Sequence, residues 1–192
     1  YAGDGTALIV WQSAGQDGSG WGIYGQRLDS AGAKAGGEFR INTSTAEDQT
    51  NPDVGADALG NFVVAWTSDV GSGQKTDIIA RRVDATGTLV GTEISVAQQN
   101  DKEQSDPAVS VRAEGDFLVA WQSTDKDQGG TWGVYVRQFA ASGIALGNDL
   151  LVNATADGNQ VAPSVAFAGS QATVVWSGRS DASAPADSRG VF

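Results

Sequence analysis

Acidic residues gather in four glycine-rich stretches of this chain: Asp17 in 13–20, Asp69 in 68–76, Asp125 and Asp127 in 123–131, and Asp181 in 177–188. Carboxylates set close to glycines that open access to backbone carbonyls are the oxygen-rich donor set that Ca²⁺ takes. The same residues also suit an ordinary turn, in which an Asp side chain accepts amide hydrogens of its own loop. No stretch has the alternating ligands of an EF-hand, so the two readings stand side by side, with calcium as the one candidate cofactor. Beside these loops stand Trp21 with Tyr24 and Trp132 with Tyr135, whose ring faces are candidates for stacking on sugars.

Composition removes other chemistries. The chain has no His and no Cys, so imidazole bases, thiolate nucleophiles and disulfides are all unavailable. Paired carboxylates remain as a route to glycoside hydrolysis. Catalytic residues normally break the symmetry of a repeat, and no unit of the sequence shows an extra acidic pair in a strand, so no enzyme activity is expected. The charge balance is 23 Asp and Glu against 12 Lys and Arg, a net charge of −11. Such a surface repels phosphate backbones, which argues against a nucleic-acid partner and favours solubility. No apolar run approaches the roughly 18 residues of a membrane-spanning helix. With no Met in its 192 residues, the chain reads as a processed product or a piece of something longer.

The elements that carry these loops follow from a repeat. Trp11, Trp66, Trp121 and Trp176 stand at 55-residue intervals, each closing a similar phrase: ALIVW, FVVAW, FLVAW and ATVVW. Around each tryptophan the grammar recurs. A short Pro-x-Val run comes first, then a tight turn such as Asp57–Gly60, then the tryptophan strand, then the glycine-rich loop. A third strand such as DIIARRV follows, then an Asp-x-x-Gly turn (29–32, 84–87) and a fourth strand. Asp opening a turn and Gly closing it are hairpin signals. Apolar side chains on both faces of the tryptophan strand (Phe62, Val64 and Trp66 against Val63 and Ala65) require sheets packed on both sides. The class is therefore all-β, a β-propeller-like array of four-stranded antiparallel blades, with a β-solenoid as the alternative.

Strands are predicted at 7–12, 21–28, 38–42, 52–56, 61–67, 77–83, 92–97, 107–112, 116–122, 132–139, 149–153, 163–167 and 172–177. The repeat units run 1–51 (an incomplete start), 52–106, 107–162 and 163–192 (truncated), about three and a half blades. Such an array is expected to be completed by further repeats of a longer chain or by a second copy. The repeated tryptophans belong to the core. Gln49, Gln104 and Gln160 pace the linkers and are expected to bridge backbone groups between blades, while Arg27, Arg82 and Arg137 recur near one place on the third strand.

The phrases VVAWTSDVGSG, IVWQSAGQDGSGWGIYGQRLDSAG and FRINTSTAEDQTNPDV resemble tandem repeats of very large secreted proteins of Gram-negative bacteria, of the calcium-binding, cadherin-like or RTX adhesin type. The RTX nonapeptide itself is absent. That resemblance implies an extracellular or cell-surface setting and a non-catalytic module for adhesion, spacing or self-assembly. A second expectation is a propeller lectin with glycan sites at the glycine-rich loops. A glycosidase-like propeller has the least support from sequence, and an asymmetric acidic pocket near the axis is the feature that would favour it. The stretch 123–132 also resembles the Asp-box of sialidase propellers, which is a structural hairpin remote from catalysis.

Overall fold

The structure is a computed structural model of the chain. It describes residues 1–71, 75–98, 102–124, 131–154 and 158–178, and the backbone of 190–191. The described residues form no helix, only four antiparallel sheets. The first holds β1 (Ala7–Ala14), β2 (Trp21–Leu28) and β3 (Lys34–Arg40). The second holds β4 (Gln49–Ala56), β5 (Phe62–Asp69), β6 (Thr76–Val83) and β7 (Leu89–Ser95), and the third β8 (Gln104–Val111), β9 (Phe117–Thr124), β10 (Trp132–Phe139) and β11 (Leu150–Leu151). The fourth holds β12 (Gln160–Ala168), β13 (Gln171–Gly178) and β14 (Gly190–Val191).

Within each sheet consecutive strands pair in sequence order. This is the meander of a propeller blade, and it excludes the solenoid alternative, whose coils would pair in parallel. β4, β8 and β12 are the inner strands and meet around a common cleft. The turns after the inner and third strands lie at one end of the blades, the hairpin end. The glycine-rich loops and the linkers into the inner strands lie at the other, the cleft end.

The inner strands start three residues before the predicted 52, 107 and 163, at Gln49, Gln104 and Gln160. The boundary between blades moves back with them, and the sheets span 7–40, 49–95, 104–151 and 160–191. The outer strands β3 and β7 start early too, because the Asp-x-x-Gly turn hands the chain straight on, whereas β11, after a turn without the Asp, starts only at Leu150. Asp84 Oδ1 accepts the amides of Thr86 (2.8 Å) and Thr88 (2.9 Å), and Gly87 takes the left-handed φ of 89° that closes the turn.

Packing between blades is apolar on both faces, as the tryptophan strands require. Leu8, Ile23 and Ile41 of the first blade meet Phe62, Val64 and Trp66 of the second. The opposite face of the second blade, with Val63, Ala65 and Ile78, meets Val109, Phe117, Val119 and Trp121 of the third. Phe117 and Phe139 stack at 4.9 Å in that layer. Trp66 and Trp121 have no exposed surface.

Gln49 and Gln160 do not bridge blades as expected. Trp66 Nε1–H donates to Gln49 Oε1 (2.8 Å) and Trp176 Nε1–H to Gln160 Oε1 (2.9 Å), each within one blade. In these two blades the neighbouring strand supplies the acceptor that a buried indole N–H calls for, whereas Trp121 Nε1 has no such partner. Bridging falls to arginine at the hairpin end. Arg27 donates to Thr86 O (3.0 Å) and Arg82 to Ala141 O (2.8 Å), each in the third-strand turn of the next blade. Arg137 sits one register position earlier and turns to its own blade's Gly147 O and to Val96 O.

Trp66→Ala is expected to cost roughly 3–5 kcal/mol, since it opens a cavity and strands the Gln49 carbonyl. Chemical denaturation of the two proteins measures it, and a loss under about 1 kcal/mol would remove Trp66 from the core.

Candidate functional site

Each inner strand carries a β-bulge just before or at its proline. The register with the second strand breaks between Thr50 and Asp53, between Ser105 and Ala108, and between Val161 and Ser164. At the bulge one residue adopts a left-handed conformation: Asn51 at φ 51°, Asp106 at 52° and Ala162 at 52°. Non-glycine residues pay about 1–3 kcal/mol to sit there, and such strain persists where the surroundings over-determine it. The bulged residues line an open cleft of about 410 Å³, among them Asn51, Pro52, Asp53, Asp106, Ala162 and Ser164.

The cleft is where the repeat loses its symmetry. Equivalent positions hold Asn51, Asp106 and Ala162, and two residues further on Asp53, Ala108 and Ser164. The second and third blades thus bring one carboxylate each to the axis, and the fourth none. Asn51 Nδ2–H donates to Asp106 Oδ1 at 2.8 Å, which links two blades and orients the carboxylate. Asp53 Oδ2 accepts the backbone amide of Val109 at 2.7 Å. Burial raises the pKa of Asp53 above the ordinary carboxyl value, and the amides of Val109 and Val54 oppose that rise without cancelling it. The sequence reading missed this pair because Asp106 falls in the three residues assigned to a linker. The signal was there in Asn-Pro and Asp-Pro, since Asn and Asp tolerate the left-handed region best.

The residues singled out from sequence lie elsewhere. Asp17 and Asp69 sit in the glycine-rich loops at the cleft end, where Asp17 Oδ1 accepts Ser19 N–H (3.2 Å) and Asp69 Oδ1 accepts Gly71 N–H (2.8 Å). These are turns of the self-bonded kind. Among the described residues no three acidic groups come together. Asp125, Asp127 and Asp181 lie outside the described residues. Of the four aromatics, Trp21 is 40% exposed and Trp132 half-buried, both at the cleft end. Tyr24 and Tyr135 are core residues: Tyr135 stacks on Trp121 at 6.1 Å, and Tyr24 packs over Gly22 beside the Asp17 carboxylate. The second blade has Thr76 where its neighbours have Trp21 and Trp132.

The second blade differs in its interior as well. In the first and third, Asn42 and Asn153 accept the amides of Ile23 and Val134 at 2.8 Å, beside Gly22 and Gly133. In the second, Ala97 replaces the asparagine and Asp77 the glycine. Asp77 is buried, its Oδ1 has no hydrogen-bond partner, and burial raises its pKa.

No family model matches the chain, and no curated protein matches its sequence. Solved structures share its fold. Superposition on the endo-arabinase of Bacteroides thetaiotaomicron gives a TM-score of 0.57 at 14% identity, over 100% of this chain and 72% of that one. The family GH93 α-L-arabinofuranosidase of Fusarium graminearum gives 0.60 at 10%, over 97% and 59%. The α-L-arabinanase of Penicillium chrysogenum, complexed with arabinobiose, gives 0.59 at 14%, over 90% and 53%. These are five-bladed propeller glycoside hydrolases, so the propeller class holds, and this chain spans between about half and three quarters of their lengths. The likeness is one of fold. It corrects the expectation of a non-catalytic adhesion or spacer module, and with it the expectation of no enzyme: the architecture this chain shares is that of carbohydrate-active enzymes, and the asymmetric acidic cleft sits at its axis.

Two outcomes check the strain and burial described above. Ala162→Gly is expected to stabilise the protein by up to about 1 kcal/mol, because relief of the left-handed penalty exceeds the entropy added to the unfolded chain; unchanged or lower stability would contradict it. Asp77→Asn tests the buried carboxyl. A raised folded pKa favours the folded state below the unfolded value of 3.8 and loses that benefit as pH rises through the folded pKa. The variant is therefore expected to melt higher than the parent at pH 7, with the gain shrinking as the pH falls toward 4, and a gain independent of pH would refute the assignment.

Proposed function

We propose that the chain is the axial, carboxylate-bearing part of a propeller glycoside hydrolase that cleaves neutral, arabinose-containing polysaccharide. The observation that carries this is the broken symmetry of the cleft: Asp53 and Asp106 enter it from adjacent inner strands, while the equivalent positions elsewhere hold Ala108, Ser164 and Ala162. Two carboxyl groups whose surroundings differ are the machinery of glycosidic cleavage. Asp53, held toward its protonated form by burial, is the proton donor to the leaving oxygen. Asp106, oriented by Asn51, is the opposing carboxylate. The substrate class is suggested by the arabinan-active proteins of like fold, and a net charge of −11 disfavours an anionic glycan.

Trp21 and Trp132 stand at the starts of third strands, two strand spacings or roughly 10 Å outward from the inner strands. They are stacking platforms for sugar units beyond the cleaved bond. The cleft works in a complete ring, whose remaining blades come from a longer polypeptide or a second copy.

Release of reducing sugar from linear arabinan and from xylan tests the reading. Hydrolysis of arabinan is expected, with kcat reduced about 10²–10⁴-fold in both Asp106→Asn and Asp53→Asn at unchanged melting temperature. No hydrolysis of either glycan, or full activity in both variants, would overturn it.

A further inference from the structure

The bulges are clamped from the preceding blade, and one clamp is different. Gln12 in the second strand of the first blade accepts the amide of Asn51 through Oε1 at 2.8 Å. Gln122, at the same place in the third blade, accepts the amide of Ala162 at 2.9 Å. Each glutamine thus satisfies the N–H that the left-handed residue turns out of its own ladder. The equivalent residue of the second blade is Thr67, which the repeat places opposite the bulge at Asp106 as Gln12 and Gln122 stand opposite theirs. Threonine is too short to repeat the contact. Its hydroxyl is buried, with the residue 4% exposed, and Oγ1 has no hydrogen-bond partner. A buried hydroxyl without a partner costs about 1–3 kcal/mol, so something polar is expected to meet it. The one shortened clamp of the three therefore serves the one bulge whose left-handed residue is itself a carboxylate.

We propose that Thr67 and the backbone amide of Asp106 hold a single water molecule in the place of the missing carboxamide, and that this water is the one Asp106 activates. The second half of this rests on the hydrolytic reading above; the water site itself does not. Asp106 N–H donates to the water oxygen, Thr67 Oγ1 accepts one of its hydrogens, and the Asp106 carboxylate accepts the other. In the reaction the water gives a proton to Asp106 as its oxygen bonds to the anomeric carbon. The bond from that carbon to the leaving oxygen breaks, and Asp53 passes its proton to the leaving oxygen. One water is added and two hydroxyl groups result. Exchange with solvent then returns Asp53 to its acid form and Asp106 to its carboxylate. Thr67 is a positioning residue in this scheme.

Three variants and a crystal structure decide it. Thr67→Gln installs the side chain of the other two clamps, Thr67→Val keeps the shape and removes the hydroxyl, and Thr67→Ser keeps the hydroxyl. In crystals of the wild-type protein, without sugar and soaked with arabinobiose, an oxygen is expected within hydrogen-bond distance of Thr67 Oγ1 and Asp106 N in both states; an empty position, or one filled only by a sugar hydroxyl, would overturn the proposal. Thr67→Gln is expected to exclude that oxygen, to melt no lower than wild type, and to lose about 10²-fold in kcat with KM within twofold. Thr67→Val is expected to lose kcat to a similar degree and Thr67→Ser to retain most of it. Full kcat in Thr67→Gln with the oxygen gone would sink the catalytic role. If wild type hydrolyses no glycan, the hydrolytic reading fails and the crystals alone decide the water site.

Discussion

One backbone conformation organises this molecule: the left-handed residue beside the proline of each inner strand. The residue before a proline is normally extended, and here it is turned over by a bulge. That single inversion frees an N–H from its own sheet, and the freed group becomes the donor through which one blade holds the next. Gln12 to Asn51 and Gln122 to Ala162 are the two instances with a direct clamp. The inverted residues also line the cleft between the inner strands. Joining blades and shaping the cleft are therefore one structural event.

The buried tryptophans anchor the other side of the same strands. Trp66 donates to Gln49, two residues before the left-handed Asn51, and so fixes where the inner strand begins. The register of the strand, the position of its bulge and the direction of the residue at the bulge then follow in order. A propeller blade built this way tolerates substitution at the inverted position, because the backbone and not the side chain makes the joint. That explains how asparagine, aspartate and alanine occupy equivalent places on an unchanged frame.

Much of the fold was legible in the sequence. The even spacing of Trp11, Trp66, Trp121 and Trp176 marks the repeat, and Asp57, Asp84 and Asp29 with their glycines mark hairpins whose hydrogen bonds form as the residue types require. The site was not legible in the same way. Asp106 looked like linker because a bulge disguises three strand residues as irregular chain, and the glycine-rich loops drew attention because their carboxylates are conspicuous in sequence. In the structure Asp17 and Asp69 serve their own turns. The resemblance to secreted adhesin repeats led toward a passive module, whereas the cleft differs from blade to blade, which periodic reading averages away. Asp77 and Ala97 show the same blindness inside the second blade: each departs from the pattern, and only their proximity to the Gly-and-Asn arrangement of the neighbouring blades gives the departure meaning.

The arginines of the hairpin end have a consequence for the environments in which this protein holds together. Arg27 and Arg82 join blades by donating to carbonyl groups, which carry no net charge, and the ion pair seen among the described residues, Arg137 with Asp149 at 3.8 Å, is a long one. Dissolved ions screen attraction between opposite charges far more than a short bond to a carbonyl dipole. The same ions quiet the mutual repulsion of 23 carboxylates set against 12 basic groups. Salt thus leaves the two arginine joints largely intact while easing the repulsion among the carboxylates.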